Sequence, residues 1–268
     1  MKIAGRAKGL NFQQKLVAFM SYHWFKEFAE HFAFPANYVC IDVETSGFDR
    51  ERDFICSIGH VVVRDNEIVE SKEHYLNWAQ YDGIDLEDFK YRLDRTKRSM
   101  EAAGKGFYHS YEKLTEDGEA PTTVLLDYLT LFEEMEERDE VLVAHNGWGF
   151  DMQFLQAHFY NWLRVPFKFS PHLVYDSGII EKASQLGLED NPLPALNENL
   201  MDFSARIGGM RRKDVRWSLD THCENQYALT DKVRDAGYAG EDHQALYYAV
   251  KLHFLLEEHR ALSKYVDD

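Results

Sequence analysis

Cysteine is scarce in this chain. Three residues in 268, Cys40, Cys56 and Cys223, form an odd set with no Cys-x-x-Cys spacing. That excludes a disulfide framework and a cysteine zinc site, and it fits a reducing, cytoplasmic setting. Long apolar runs are missing too: nothing approaches ~18 uninterrupted apolar residues, so no membrane span and no membrane partner are expected. The opening MKIAGRAKGLNFQQKLVAF lacks an apolar run ending in a small-residue cleavage site, which argues against export. Cations are outnumbered, 30 Lys and Arg against 46 Asp and Glu, for a formal charge of −16. A general nucleic-acid coat is thereby excluded, because phosphate contacts need clustered cations. An acidic site with a local basic rim remains compatible with that balance.

What is present is globular in character, with 45% hydrophobic and 28% charged residues. Apolar side chains at Phe12, Leu16, Phe19, Met20, Trp24, Phe28 and Phe32 predict a helix over residues 11–33, stopped by Pro35. Tyr38–Val43, Phe54–Arg64 and Ile68–Trp78 read as three strands in meander order, with Asp65-Asn66 as a hairpin turn. Helices are expected over Ile84–Ala103, Thr122–Glu137 after Pro121, and Phe150–Leu163. Val141–Ala144 and Leu173–Tyr175 read as further strands. The rest is helical, broken by loops at Asn191–Pro194 and Arg211-Arg212-Lys213. The last helix runs from Asp242 to Leu262 with the stripe Ala245, Ala249, Leu252 and Leu256. The order β-β-β-α-α-β-α-β-α-α predicts one α/β domain with a mixed central sheet flanked by helices. Residues 1–36 would form a helical N-terminal extension, 37–262 the domain and 263–268 a tail.

Three segments carry chemistry. In Ile41-Asp42-Val43-Glu44-Thr45-Ser46-Gly47, strand alternation puts Asp42 and Glu44 on one face. Two adjacent carboxylates repel, and a hard divalent cation relieves that repulsion; Mg²⁺ or Mn²⁺ suits oxygen ligands better than zinc. A plain solvated strand face is the competing reading. In Val143-Ala144-His145-Asn146-Gly147-Trp148-Gly149-Phe150-Asp151, a buried strand runs through a glycine turn into a helix whose first turn holds Asp151. An ordinary helix-capping Asp would explain Asp151 but not the whole pattern. In Glu241-Asp242-His243-Gln244-Ala245-Leu246-Tyr247-Tyr248-Ala249, His243 opens the last helix.

Together these segments resemble the DEDD superfamily of 3′→5′ exonucleases, in particular the histidine subgroup typified by ribonuclease T and the replicase proofreading subunit. The likeness covers Tyr38 to Glu258, with weaker support from Trp217-Ser218-Leu219-Asp220 and Gly118-Glu119-Ala120-Pro121. It implies a ribonuclease-H-like fold and a two-metal mechanism. Asp42, Glu44 and Asp151 would hold two Mg²⁺ or Mn²⁺ ions, and His243 would be the general base. The substrate would be a single-stranded nucleic-acid 3′ end, DNA or RNA, releasing nucleoside 5′-monophosphates. A homodimer is compatible with the resemblance.

One position departs. The fourth acidic residue of the family lies five residues after the histidine, and here that residue is Tyr248. A neutral phenol is a poor ligand for a hard dication. A rival register uses Tyr238 with Asp242, as in the tyrosine subgroup; the two would be i,i+4 neighbours on a helix. Asp242 and Tyr248, six residues apart, point roughly 120° apart on a helix, so a helical wheel does not choose. The flanking residues match the histidine register over a longer stretch. Tyr248 also motivates an alternative function: a weakened or inactive exonuclease fold that binds nucleic-acid ends or a protein partner. Substrate contacts are expected from Phe48, His145, Asn146 and Trp148, with Lys97, Arg98, Lys105, Arg211, Arg212, Lys213 and Arg216 as candidate phosphate contacts.

Overall fold

The computed structural model describes residues 23–186, 193–210, 215, 217–238 and 243–264. Its centre is a five-stranded mixed sheet in the order β3-β2-β1-β4-β5. β1 (Tyr38–Thr45) pairs antiparallel with β2 (Ile55–Arg64), and β2 with β3 (Glu67–Tyr75). β4 (Val141–Ala144) and β5 (Val174–Asp176) add in parallel on the other side. The β2–β3 hairpin turns on Asp65 and Asn66, both left-handed at φ 50° and 67°. That backbone is what a two-residue hairpin between right-twisted strands requires. β2 is apolar along most of its length because both its faces are covered, whereas β3 lies at the edge and leaves charged residues in water.

Two apolar layers clamp the sheet. One face carries Val39, Ile41, Val43 and Ile58 against α4 (Pro121–Glu137) and α5 (Asp151–His158). Pro121 occupies the first turn of α4, where its missing N–H costs nothing. The other face carries Tyr38, Cys40, Val61 and Val63 against α10 (Gln244–Ser263). The expected stripe Ala245, Ala249, Leu252 and Leu256 is wholly buried. Two phenols anchor α10 from below: Tyr38 Oη lies 2.8 Å from His253 Nδ1 and Tyr175 Oη 2.8 Å from His259 Nδ1.

Residues 23–31 form a helix, α1, that docks on this second layer. Trp24 stacks on Phe28, and Phe28 packs on Phe203 of α7 (Leu200–Gly209). Phe25 and Phe28 are fully buried; each such burial contributes about 1.5–3 kcal/mol. The remainder of the expected N-terminal helix, residues 11–22, lies outside the described residues. So do Asn191, the basic positions Arg211, Arg212, Lys213 and Arg216, Asp242, and residues 265–268 of the tail.

Several boundaries differ from expectation. The third strand ends at Tyr75, not Trp78. Trp78 instead starts a single 3-10 turn capped by the Asn77 side chain, and its indole N–H donates to the Ile55 carbonyl at 2.7 Å. The helix expected to reach Leu163 is regular only to His158 and then widens into a π-helical turn, Phe159–Leu163. α2 (Leu86–Ala102), opened by an Asp85 cap, is followed by a helix that periodicity did not reveal, α3 (Tyr111–Asp117), started by a Ser110 cap. After β5 come α6 (Ser177–Leu186) and α7, a π-helical turn Leu219–Cys223, α8 (Glu224–Tyr227) and α9 (Leu229–Asp235). Among the described residues no helix is long and apolar enough to cross a membrane.

Candidate active site

The strand register builds the floor of the site. Asp42 pairs with Gly59, and Gly59 with Glu73; the next same-face row is Glu44, Ser57 and Tyr75. Side chains two apart on a strand share a face, so Asp42, Glu44 and Glu73 all point to the α10 side of the sheet. Gly59 leaves a gap there. A Cβ at that position would come within 2.2 Å of the backbone of Ala245 and Leu246. The start of α10 therefore sits directly on the sheet.

Asp151 arrives from the neighbouring crossover. It occupies the first turn of α5, and its Oδ1 accepts the Val43 N–H at 3.0 Å. That hydrogen bond lodges the carboxylate against β1 between Asp42 and Glu44. The electrostatics follow. Burial, then the charges of Asp151, Glu44, Asp220 and Glu73, push Asp42 well above the usual carboxylate range. Burial, then Glu73 and Asp151, push Glu44 up to about 8. Burial pushes Asp151 up to about 8 against two backbone hydrogen bonds that favour its charge. Three carboxylates from two elements, β1 and α5, are thus brought to one place.

Two buried carboxylates that the sequence reading missed shape the turns. Asp53 fastens the loop after β1: it accepts from Asp49 N at 2.9 Å and from Arg92 and Arg95 of α2 at 3.1 and 3.0 Å. Asp176, at the end of β5, accepts from Asn146 N at 2.8 Å, Gly178 N at 3.1 Å, Ile179 N at 3.3 Å and Trp148 N at 3.5 Å. It thus caps α6 and also holds the turn that delivers Asp151. Asn146 in that turn is left-handed, at φ 59°. An acid placed just before Ser177-Gly178 at the end of an apolar strand is the one local signal that would have marked Asp176.

α10 begins with His243 as its N-cap residue. Glu73 accepts the Ala245 and Leu246 N–H groups at 3.2 and 3.3 Å, so a strand carboxylate caps this helix. His243 Nδ1 lies 3.3 Å from Tyr75 Oη and 3.7 Å from Glu73 Oε2, with the ring largely in solvent. Gln244 is buried; its side chain hydrogen-bonds Glu44, and its Oε1 accepts Tyr108 N at 3.2 Å. Tyr248, in the second turn, donates its hydroxyl to Asp220 Oδ2 at 3.1 Å. Burial and the charges of Asp220, Glu44 and Asp42 push its phenol far up, so it is neutral. Tyr238 is elsewhere: it precedes α10 and pairs with Ser71 Oγ of β3 at 2.9 Å. Its proposed partner Asp242 is not among the described residues.

The expected substrate contacts fall into two groups. Phe48, three residues beyond the end of β1, is 80% exposed and stands edge-on at 6.1 Å to Phe150, the residue before Asp151. Asn146 is exposed as well. Trp148 packs against the first core layer. His145 shares a hydrogen bond with Ser177 Oγ at 3.0 Å, and burial pushes it down to about 4, so it is uncharged. Lys97 and Arg98 are exposed on α2, and Lys105 pairs with Asp220 at 3.5 Å.

Among the described residues no group of three or more His, Cys, Asp or Glu side chains is arranged as it stands to hold a metal ion. The donor chemistry nevertheless suits one. Asp42, Glu44 and Asp151 are hard oxygen donors whose mutual repulsion a Mg²⁺- or Mn²⁺-type cation relieves.

Residues 39–204 match the sequence profile of the RNase T family, described as exonuclease. That is well over half of the chain. The chain belongs to this family, within the DEDD superfamily. A search of curated proteins returned no match. The fold agrees with solved exonucleases. A structure of exonuclease I superposes with a TM-score of 0.54 at 13% identity, over 86% of this chain and 43% of that one. E. coli exonuclease I in complex with a dA16 oligonucleotide gives 0.51 at 14% identity, over 86% and 43%. Its complex with a dT13 oligonucleotide gives 0.51 at 12%, over 82% and 40%. Identities this low establish the ribonuclease-H-like fold alone. The chain spans about 43% of the length of the exonuclease I it matches. The family match ends at residue 204, so α10, with His243 and Tyr248, stands beyond it.

Proposed function

We propose that this chain is a divalent-metal-dependent 3′→5′ exonuclease that removes nucleoside 5′-monophosphates from single-stranded ends. The observation that carries this reading is the meeting of Asp42, Glu44 and Asp151 across β1, with Asp151 hydrogen-bonded to Val43 N between the other two. These residues would hold two Mg²⁺ or Mn²⁺ ions. When bound, such ions supply an activated water and stabilise the attacking and leaving oxygens. The chain's own groups do the rest. His243 takes the proton of the attacking water: its Nδ1 faces Tyr75 and Glu73, so Nε2 is the nitrogen left to accept it. Gln244 steadies Glu44 by a side-chain hydrogen bond. Phe48, exposed beyond the end of β1, stacks under the terminal base. Single-stranded DNA is the first substrate to try, because the matched exonuclease I structures hold dA16 and dT13 oligonucleotides. The catalytic domain would run over 37–262, with the segment before it packed on by α1.

The test is a gel assay of 5′- and 3′-labelled single strands, DNA and RNA, with Mg²⁺, Mn²⁺ or EDTA. Metal-dependent shortening from the 3′ end, lost in Asp42→Ala, is expected. Intact strands with wild-type protein in Mn²⁺ overturn the reading. A second reading, a weakened exonuclease fold that binds ends without turnover, is favoured by Tyr248 standing at the acidic cluster. It predicts binding without cleavage, and cleavage gained in Tyr248→Asp.

A further inference from the structure

The segment Trp217-Ser218-Leu219-Asp220 has no part in the three-carboxylate site. Its acid lies on a π-helical turn, Leu219–Cys223, whose first and last residues are buried in the second core layer. Packing therefore fixes where Asp220 stands. Its Oδ2 accepts the Tyr248 hydroxyl at 3.1 Å, and Lys105 and Lys251 flank it at 3.5 and 3.8 Å. Tyr248 occupies the α10 position where the family resemblance calls for the fourth acid.

We infer that Asp220 is the fourth acidic group of the site, delivered from the turn before α8 instead of from α10, and that Tyr248 is the residue that positions it. This rests on the metal-dependent reading above. A phenol brings no charge at neutral pH, but it is long enough to hand the role to a partner. The start of α10 rests on Gly59 in the Asp42 row, and Leu219 and Cys223 pack in the α10 layer. The Asp220 carboxylate that Tyr248 holds at 3.1 Å therefore stands on the sheet face that carries Asp42 and Glu44; its charge acts on both of them. With Glu73 engaged as the cap of α10, the carboxylates left for a metal number four, Asp42, Glu44, Asp151 and Asp220, although one arrives from a different element. The two lysines fit the metal-free state. Lys251 is almost wholly buried and shared with Glu224 at 3.7 Å, so it stays in place. Lys105 is 52% exposed on the loop after α2, and it is the cation that an entering metal ion displaces.

The test reads Mn²⁺ binding to the full chain by calorimetry and by the electron paramagnetic resonance of free Mn²⁺, with no substrate present. Wild type, Asp42→Ala, Asp220→Asn, Tyr248→Phe and the double variant Tyr248→Asp with Asp220→Asn are compared. Asp220→Asn keeps an acceptor for the Tyr248 hydroxyl, and melting in EDTA reports its folding. One Mn²⁺ is expected to bind about 10–100-fold more weakly in Asp220→Asn. Tyr248→Phe is expected to show a smaller loss, because the charge remains and only its anchor goes. The double variant, with a carboxylate back on α10, is expected to recover the lost affinity. An Asp220→Asn isotherm identical to wild type, while Asp42→Ala loses binding, overturns this inference and leaves the metal-dependent reading standing. Wild-type binding that Asp42→Ala does not weaken overturns both. If Asp220→Asn melts well below wild type in EDTA, the double variant decides: recovery of Mn²⁺ affinity supports the inference, and its absence overturns it.

Discussion

Replacing Asp176 with alanine is expected to damage the site without touching any carboxylate that faces it. Asp176 is 2% exposed, and it accepts four backbone N–H groups. Two of them open α6, and two belong to the turn that leads into Asp151. Alanine strands all four, and a buried donor without a partner costs about 1–3 kcal/mol. Water entering the vacated space offsets part of that, so a net loss of about 3–5 kcal/mol is expected. Asparagine is the informative contrast. Its carbonyl can replace Oδ1, which makes the three shorter bonds at 2.8, 3.1 and 3.3 Å. Only the Trp148 N–H, 3.5 Å from Oδ2, then faces an amide. Burial also raises the pKa of Asp176 against the pull of those N–H groups, so its charge is on balance disfavoured in the fold. Loss of the charge returns what loss of the long bond removes, and Asp176→Asn is expected to stay within about 1 kcal/mol of wild type. Urea unfolding in EDTA measures both variants, and Mn²⁺ binding measures how far Asp151 has moved. Alanine as stable as wild type, or asparagine as damaging as alanine, would refute the argument that N–H geometry holds this turn.

Other positions give equally direct tests. Burial would raise Glu181, but His222 Nε2 at 3.3 Å and a hydrogen bond with His259 Nε2 at 2.6 Å outweigh it and hold the group at about 2. A folded pKa below the ordinary 4.5 means stability that is present above pH 4.5 and is lost as pH falls towards 2, about 3 kcal/mol in all. Acid unfolding followed by circular dichroism should show that limb in wild type and a flatter one in Glu181→Gln; superimposable limbs would count against it. Gly59→Ala drives a methyl to 2.2 Å from the α10 backbone. A loss of at least about 1–3 kcal/mol with reduced cleavage is expected, and an unchanged melting temperature would show that α10 can shift freely. Phe48→Ala should leave stability within about 0.5 kcal/mol. It should also weaken single-strand binding by about 1–3 kcal/mol, read by fluorescence anisotropy, and equal affinity would remove Phe48 from the substrate path.

The parts of the site that follow from local pattern were legible in the sequence. Alternation placed Asp42 and Glu44 together, and the strand-turn-helix pattern placed Asp151. The apolar stripe of α10 was visible as a 3.6-residue period. What local pattern does not carry is which strand row meets which helix. Glu73 and Gly59 become functional only because β2 and β3 set them in the Asp42 row. Nothing in their own neighbourhoods marks a helix cap or a helix contact. Trp78 misled for a related reason. An aromatic at the end of a β-like run reads as strand, but a distant partner, the Ile55 carbonyl, draws its indole into a turn.

The choice between Tyr238 and Tyr248 shows the same limit from the other side. A helical wheel gives the angle between two residues but neither the point where the helix begins nor what it rests on. Here both come from outside the helix. Glu73 caps Ala245 and Leu246, so the first turn starts at His243, with Tyr247 N bonded to the His243 carbonyl at 2.9 Å. Gly59 lets that turn rest on the sheet at one height and one rotation. With origin and contact set, the residue one turn further on, Tyr248, has to face Asp220 and the β1 acids. Tyr238 lies before the cap and is bound to Ser71. The phenol at the acidic cluster is thus selected by a glycine on β2 and a glutamate on β3, two residues that a reading of the helix alone never consults.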